Sequence, residues 1–432
     1  MLNFNLIKNI NKLSFFFLFV VLFSGCTSLK NKTVSKKITQ QFSSDLFKNH
    51  HTGFLLLNAE NQDTIHGHNH QKYFVPASNT KIFTLFTALK LLPKQSPLFK
   101  YSAQNDTLFI EGTGNPTLFH SEFDDSKTLQ FLKNHKNIAV HFNHFKMDRF
   151  GPGWAWEDYN YYYSPERSSM PMYGNTLTIF NSDSLTVTPT KFRQNIEFSN
   201  NQNYRLPEEN TFFYANQKKD TVEIPFKIDA ILSKQLLEEK LGKTISIVDQ
   251  MPKSDKKVFY GIATDTILQK MMLESDNFFA EQLMVMASST LADSLNFETA
   301  KAHILKQDLS DLAQVPRWVD GSGLSRYNLF TPESIVQVLS KLKKEISEER
   351  LYTLFPAGGH SGTLKDWFAG KPKPYIYAKT GSLGNIYCLS GYLLTKSGKT
   401  LVFSFMNNNF MHSSTTIKKE MENLFEFIRD TY

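Results

Sequence analysis

Apolar residues along this chain follow two rhythms, and the change from one to the other marks out its elements. Positions spaced by three and four predict amphipathic helices over residues 38–48, 80–92, 331–345 and 415–429, and a longer helical stretch from Val258 through Thr290. Short apolar runs bounded by turn residues predict strands at Gly53–Leu57, Tyr375–Ala378, Ile386–Leu394 and Leu401–Met406. A turn is expected around Asn61-Gln62-Asp63. Between about 100 and 255 the character shifts to Asn-, Tyr-, Phe- and Thr-rich sequence with brief alternations such as Thr107-Leu108-Phe109-Ile110 and Thr176-Leu177-Thr178-Ile179. That stretch reads as a β-rich insertion. Strands that follow one another near the C-terminus, with helices before and after, argue for an α+β fold built on an antiparallel sheet with helices on its faces.

The net charge of +7 changes meaning once it is located. Lys8, Lys12, Lys30, Lys32, Lys36 and Lys37 occupy the first 37 residues, where no acid occurs, leaving +1 for the rest. No nucleic-acid partner is implied, and the basic tail suits an anionic membrane surface. Lys8 and Lys12 precede a short uncharged apolar run, Leu13 to Phe23, of the length of a secretion signal. The run ends in Leu22-Phe23-Ser24-Gly25-Cys26, which resembles the lipobox of bacterial lipoproteins. Residues 1–25 are therefore expected to be a lipoprotein signal peptide, Cys26 the lipidation site, and 26–37 a polar tether. The expected location is outside the cytoplasm, in the cell envelope or periplasm, with a lipid anchor in a bacterial membrane. Only one other cysteine exists, Cys388, within an alternating run, so it is expected in a buried strand without a disulfide.

Three short patterns carry chemistry. In Ser78-Asn79-Thr80-Lys81, at the start of a helix, a hydroxyl and an ammonium three residues apart share one face. A serine hydroxyl becomes nucleophilic when a base takes its proton, and a lysine serves if burial and a second cation lower its pKa. A helix start also offers backbone N–H groups to an oxyanion. Ser275-Asp276-Asn277, expected inside a helix, adds a hydroxyl able to relay a proton and an amide able to hold Lys81 and a substrate carbonyl. Lys379-Thr380-Gly381-Ser382, at the end of an expected strand, adds the second cation and two hydroxyls for a carboxylate. It also adds a glycine that leaves room for a substrate along the strand, and the Ser382 N–H as a second oxyanion donor. Each pattern is weak alone; their order and placement make them specific. His66, His68 and His70 alternate without an acidic or cysteine companion, and read as a polar strand edge. No metal and no cofactor is expected.

With these motifs the chain resembles the D-alanyl-D-alanine carboxypeptidases of the class C low-molecular-mass penicillin-binding proteins. Pro76 to Lys81, Gly112-Thr113-Gly114-Asn115-Pro116-Thr117-Leu118, Trp154-Ala155-Trp156-Glu157-Asp158, Asp320 to Arg326 and His360-Ser361-Gly362-Thr363-Leu364 are each similar to segments of that family. The resemblance implies a β-lactamase/transpeptidase-like catalytic domain, 38–100 and 256–432, interrupted by an inserted domain, 101–255. It implies catalytic roles for Ser78, Lys81, Ser275, Asn277 and Lys379, with Thr380, Gly381 and Ser382 binding substrate. Asp158 corresponds to a carboxylate that meets a substrate ammonium, and Arg326 to an arginine near the substrate. Gly384 replaces a polar side chain that the family often carries. The implied partners are peptidoglycan stem peptides and β-lactams; the implied activity is that of a serine DD-carboxypeptidase, with DD-endopeptidase activity also open. Two rivals stand beside it: a β-lactamase, which needs an added base for deacylation, and a non-catalytic penicillin-sensing or wall-binding lipoprotein.

Overall fold

The computed structural model describes residues 29–181, 184–199, 203–215 and 221–432. The expected signal peptide and Cys26 lie outside the described residues. The chain begins with helices α1 (29–42) and α2 (Asp45–Lys48), strands β1 (His51–Asn58) and β2 (Thr64–His68), and helix α3 (Lys81–Leu91). Next come β3 (Gln95–Gln104), β4 (Thr107–Gly112), α4 (Ser126–Lys133), β5 (Asn137–His141), β6 (Thr176–Asn181), β7 (Leu185–Thr188), β8 (Ile196–Phe198), β9 (Phe212–Tyr214), β10 (Val222–Pro225), α5 (Ala230–Leu241), β11 (Ile245–Val248) and β12 (Lys257–Ala263). The chain then runs through α6 (Thr264–Leu273), α7 (Asn277–Ser288), α8 (Phe297–Gln307), α9 (Pro332–Glu345), α10 (Glu348–Leu354), β13 (Ile376–Leu383), β14 (Ile386–Leu394), β15 (Thr400–Asn408) and α11 (Ser414–Thr431).

The expected α+β architecture is present. One antiparallel sheet has the order β13-β14-β15-β1-β2. Its alternation splits the hydrophobic core into two layers. Phe54, Leu56, Tyr387, Leu389, Phe403 and Phe405 face α11, where Ile417, Met421, Phe425 and Ile428 wait at helical spacing. Leu55, Cys388, Tyr392, Val402 and Met406 face the opposite layer, built on Ile82, Phe86, Leu283 and Leu339. Cys388 is a free, buried strand residue, as its alternating run predicts.

Two expectations at the borders need correction. Residues 29–42 are helical, so 26–37 is not a polar tether throughout. Lysines dominate its sequence, but Val34, Ile38 and Phe42 recur every four residues and bury one stripe against the sheet. The expected domain borders at 100/101 and 255/256 also move. The first falls within β3, and β12 pairs antiparallel with β3, so both belong to the inserted sheet. That sheet has the order β11-β5-β4-β3-β12, with β4–β5 and β5–β11 parallel. Parallel neighbours need crossovers, and α4 lies between β4 and β5 in the chain as α5 lies between β5 and β11. The insertion is thus mixed rather than purely β-rich. The helix expected from Val258 through Thr290 resolves into β12, α6 and α7. Among the described residues, no helix is long and apolar enough to cross a membrane.

Candidate active site

Ser78 lies in a 3-10 turn, Ala77–Thr80, that runs directly into α3. The preceding Ala77 has a positive φ of 46°, an uncommon conformation for a residue with a Cβ. The neighbouring chain holds this turn in place. Gly323 (φ +83°) sits so close that an added Cβ would lie 1.9 Å from the Ala77 carbonyl oxygen. A Cβ on Gly381 would lie 2.5 Å from the Pro76 oxygen. Asn79 Nδ2 donates to the Lys379 carbonyl at 2.9 Å, tying the turn to β13. Gly381 is therefore required by the approach of β13 to the nucleophile turn, a reason distinct from the room for substrate that the sequence suggests.

Lys81 is fully buried, and its Nζ has three oxygen neighbours: Ser78 Oγ at 2.9 Å, Asn277 Oδ1 at 2.7 Å and the Ser322 carbonyl at 2.8 Å. The last two can only accept. A neutral amine has two N–H groups and one lone pair, so Asn277 and Ser322 take the N–H groups and the lone pair falls to the one neighbour able to donate, the Ser78 hydroxyl. Burial lowers the Lys81 pKa to about 8, although Asp276, Asp320 and Glu281 pull it back up. Lys379 is also fully buried; burial and the nearby Lys81 charge push its pKa well down. Its Nζ donates to Ser275 Oγ at 2.8 Å and to the Thr380 carbonyl at 2.9 Å.

The structure brings all five expected catalytic side chains together, but corrects the setting of one motif. Ser275-Asp276-Asn277 is not inside a helix. It is the break between α6 and α7, with Ser275 at φ +62°. Asp276 caps α7 by accepting from the Phe279 N–H at 2.9 Å. The break turns Ser275 toward Lys379 while Asn277, the first residue of α7, meets Lys81. The Asn277 amide is oriented by its own donation to the Tyr163 carbonyl at 3.1 Å.

A cleft of about 720 Å³ opens over Ser78, and Asp158, Arg326, Ser275, Asn277 and Ser382 line it. Asp158 accepts from the Tyr163 hydroxyl at 2.8 Å. Arg326 is exposed and donates to the Gly384 carbonyl at 3.1 Å. Ser382 is exposed to the cleft, whereas Thr380 is buried and its hydroxyl donates to Thr363 at 2.8 Å.

Two buried acids support this site from outside its three catalytic motifs. Glu281, buried in α7, accepts from the Ser322 N–H at 2.8 Å and from Arg167 at 3.1 Å. A lone acid in the apolar run Phe278 to Ala287 is its only sequence signal. Asp320, also buried, accepts from Trp154 Nε1 (2.9 Å), the Gly323 N–H (2.8 Å), the Ser325 N–H (2.7 Å) and Asn328 Nδ2 (2.7 Å). It thereby fixes the loop whose Ser322 carbonyl holds Lys81, and links that loop to the Trp154 segment. Burial and the Glu281 charge raise the Asp320 pKa to about 6. Asp320→Ala strands four donors; a buried unmet donor costs about 1–3 kcal/mol, so a loss of roughly 3–5 kcal/mol is expected after partial relaxation. Urea unfolding measures it, and a change below about 1 kcal/mol would refute this role for Asp320.

A serine with a buried lysine partner, at a helix start beside an antiparallel sheet edge, defines an acyl-transferring serine hydrolase site. Residues 34–203 and 225–430 match the D-Ala-D-Ala carboxypeptidase 3 (S13) family, and the chain belongs to that family. It is similar to the D-alanyl-D-alanine carboxypeptidase DacB of Haemophilus influenzae, 29% identical over 174 residues, covering 38% of this chain and 36% of that one. The chain thus spans about a third of the length of the curated relatives it matches. In fold it is similar to penicillin-binding protein 4 (dacB) from Haemophilus influenzae, with a TM-score of 0.75 at 19% identity over 92% of this chain and 99% of that one. A predatory peptidoglycan endopeptidase from Bdellovibrio bacteriovorus aligns at a TM-score of 0.51 and 15% identity, over 87% of this chain and 92% of that one.

Proposed function

We propose that this chain is a penicillin-binding serine DD-carboxypeptidase that acts on peptidoglycan stem peptides through an acyl-enzyme on Ser78. The observation that carries this reading is the Lys81 environment, in which two fixed acceptors leave the amine lone pair to the Ser78 hydroxyl. Lys81 takes the hydroxyl proton as Ser78 Oγ attacks the carbonyl of the penultimate D-alanine. The Ser78 and Ser382 N–H groups receive the oxyanion. Ser275, bonded to Lys379, relays the proton from Lys81 to the amine of the departing D-alanine, which leaves Lys81 neutral, and water then hydrolyses the ester with Lys81 again as base. A β-lactam enters the same way, but its leaving amine stays tethered in the opened ring and obstructs water. Endopeptidase action requires only that the leaving amine belong to a cross-linked side chain, so it uses the same groups.

Asp158 in the cleft offers a carboxylate to a substrate ammonium, with Arg326 at the rim. The basic N-terminus, its apolar run and Cys26 support export and a lipid anchor facing the wall.

Digestion of purified muropeptides, read by mass spectrometry, tests the reading. D-alanine release is expected. Rapid penicillin turnover with intact muropeptides would favour the β-lactamase, and no reaction with either would favour a non-catalytic protein. On stem peptides with a free side-chain amine, Asp158→Asn is expected to raise KM about tenfold, the loss of one charge-assisted hydrogen bond, with kcat little changed. An unchanged KM would remove Asp158 from substrate binding.

A further inference from the structure

Outside the catalytic cleft, three potential metal ligands converge in the inserted sheet. Glu111 lies one residue before the end of β4 and His141 ends β5, and they are direct partners in the parallel register, so their side chains lie side by side. His144 follows three residues later. One ligand atom from each lies within 4.8 Å of the others.

The hydrogen bonding of the cluster is incomplete in an informative way. His144 Nε2 donates to the Gly112 carbonyl at 2.7 Å. That fixes the tautomer and leaves Nδ1 as the lone-pair nitrogen. His144 is 7% exposed, and its Nδ1 is buried with no partner. Glu111 is 1% exposed; its Oε2 lies 3.1 Å from His141 Nδ1, and its Oε1 accepts from Lys256 at 2.8 Å. Lys256 has a second acid in reach, Asp293 at 3.2 Å, so it has somewhere to go if a cation takes its place on Glu111.

We propose that Glu111, His141 and His144 form a binding site for zinc(II) at the joint between the inserted sheet and the catalytic domain. Two imidazoles and a carboxylate suit this cation and leave a fourth position for water. Bonds of about 2.0–2.1 Å set tetrahedral ligand atoms on the order of 3.4 Å apart, so rotamer-scale movement closes the cluster. On binding, the His141 proton now facing Glu111 moves to Nε2, which the partly exposed ring allows through solvent. The place in the fold indicates a bracing role. The His144 carbonyl accepts from the Leu295 N–H at 2.9 Å, between α7 and α8. Gly112, which holds the ring, opens the glycine-rich stretch whose Gly114 carbonyl accepts from Gln282 of α7 at 2.7 Å. No sequence motif announces the site, because only a parallel register brings positions 111 and 141 together.

Cobalt(II) serves as the spectroscopic probe for zinc(II). Chelator-treated protein is titrated with cobalt(II), and then with zinc(II) in competition. The expected result is one equivalent bound, with intense visible bands of low coordination number that zinc abolishes. His141→Ala, chosen because the ring is partly exposed, is expected to weaken binding at least about 100-fold. Lys256→Met, which removes the competing cation, is expected to bind at least as tightly as the wild type. If the wild-type protein binds cobalt no better than His141→Ala, or if Lys256→Met abolishes binding, the cluster is a salt-bridged hydrogen-bond network and the proposal fails. The readout needs no turnover, so it stands apart from the catalytic assignment.

Discussion

Ser78→Ala is expected to abolish covalent capture of a fluorescent penicillin and to lower peptide turnover by on the order of 10⁶, the loss found when a catalytic nucleophile is removed. The fold should survive. Ser78 is half-buried, and its hydroxyl meets Lys81, which keeps Asn277 and Ser322 as partners when the hydroxyl is gone. Alanine also suits the 3-10 turn. Circular dichroism and the unfolding midpoint should match the wild type within about 1 kcal/mol, as an isolated loss of one hydrogen bond requires. Undiminished labelling would remove Ser78 from the mechanism.

The second large effect concerns Lys81. Lys81→Met keeps the length of the side chain and removes the amine, and acylation is expected to fall about 10²–10⁴-fold, the usual share of a general base. The sign of the pH dependence follows from the same group. Only the neutral amine can take the Ser78 proton. With a folded pKa of about 8, lowered by burial, the acylation rate should rise about tenfold per pH unit below that value and level off above it. Lys379 sharpens the point. Burial and the Lys81 charge push the Lys379 pKa well down, so the two buried amines are disfavoured from being charged at the same time. Stopped-flow acylation from pH 6 to 10 reads the profile. A rate that falls with rising pH across this range would contradict Lys81 as the base.

Much of this site is legible in the sequence because its parts are local. Ser78 and Lys81 are one helical turn apart, and Lys379 to Ser382, expected at the end of a strand, lie within β13 itself. The antiparallel sheet is legible for the same reason, since β14 and β15 are joined by a short turn. The motif around Ser275 is legible as residues but not as geometry. Apolar periodicity runs across residues 258–290, and nothing in it signals the positive φ at Ser275 or the cap by Asp276. The lysines of residues 30–37 hide the stripe of Val34, Ile38 and Phe42, because polarity by count masks a period of four. Glu281, Arg167 and the Trp154–Asp320 bond are long-range, and a sequence carries no local trace of a partner 114 or 166 positions away. The parallel pairing of Glu111 with His141 is invisible for that reason too.

An acyl-enzyme on Ser78 is read most directly by mass spectrometry of the protein after brief exposure to benzylpenicillin. The expected result is one added penicilloyl group per chain, mapped after proteolysis to the peptide containing Ser78, and missing in Ser78→Ala. An adduct on any other residue, or an unmodified protein, would contradict the account.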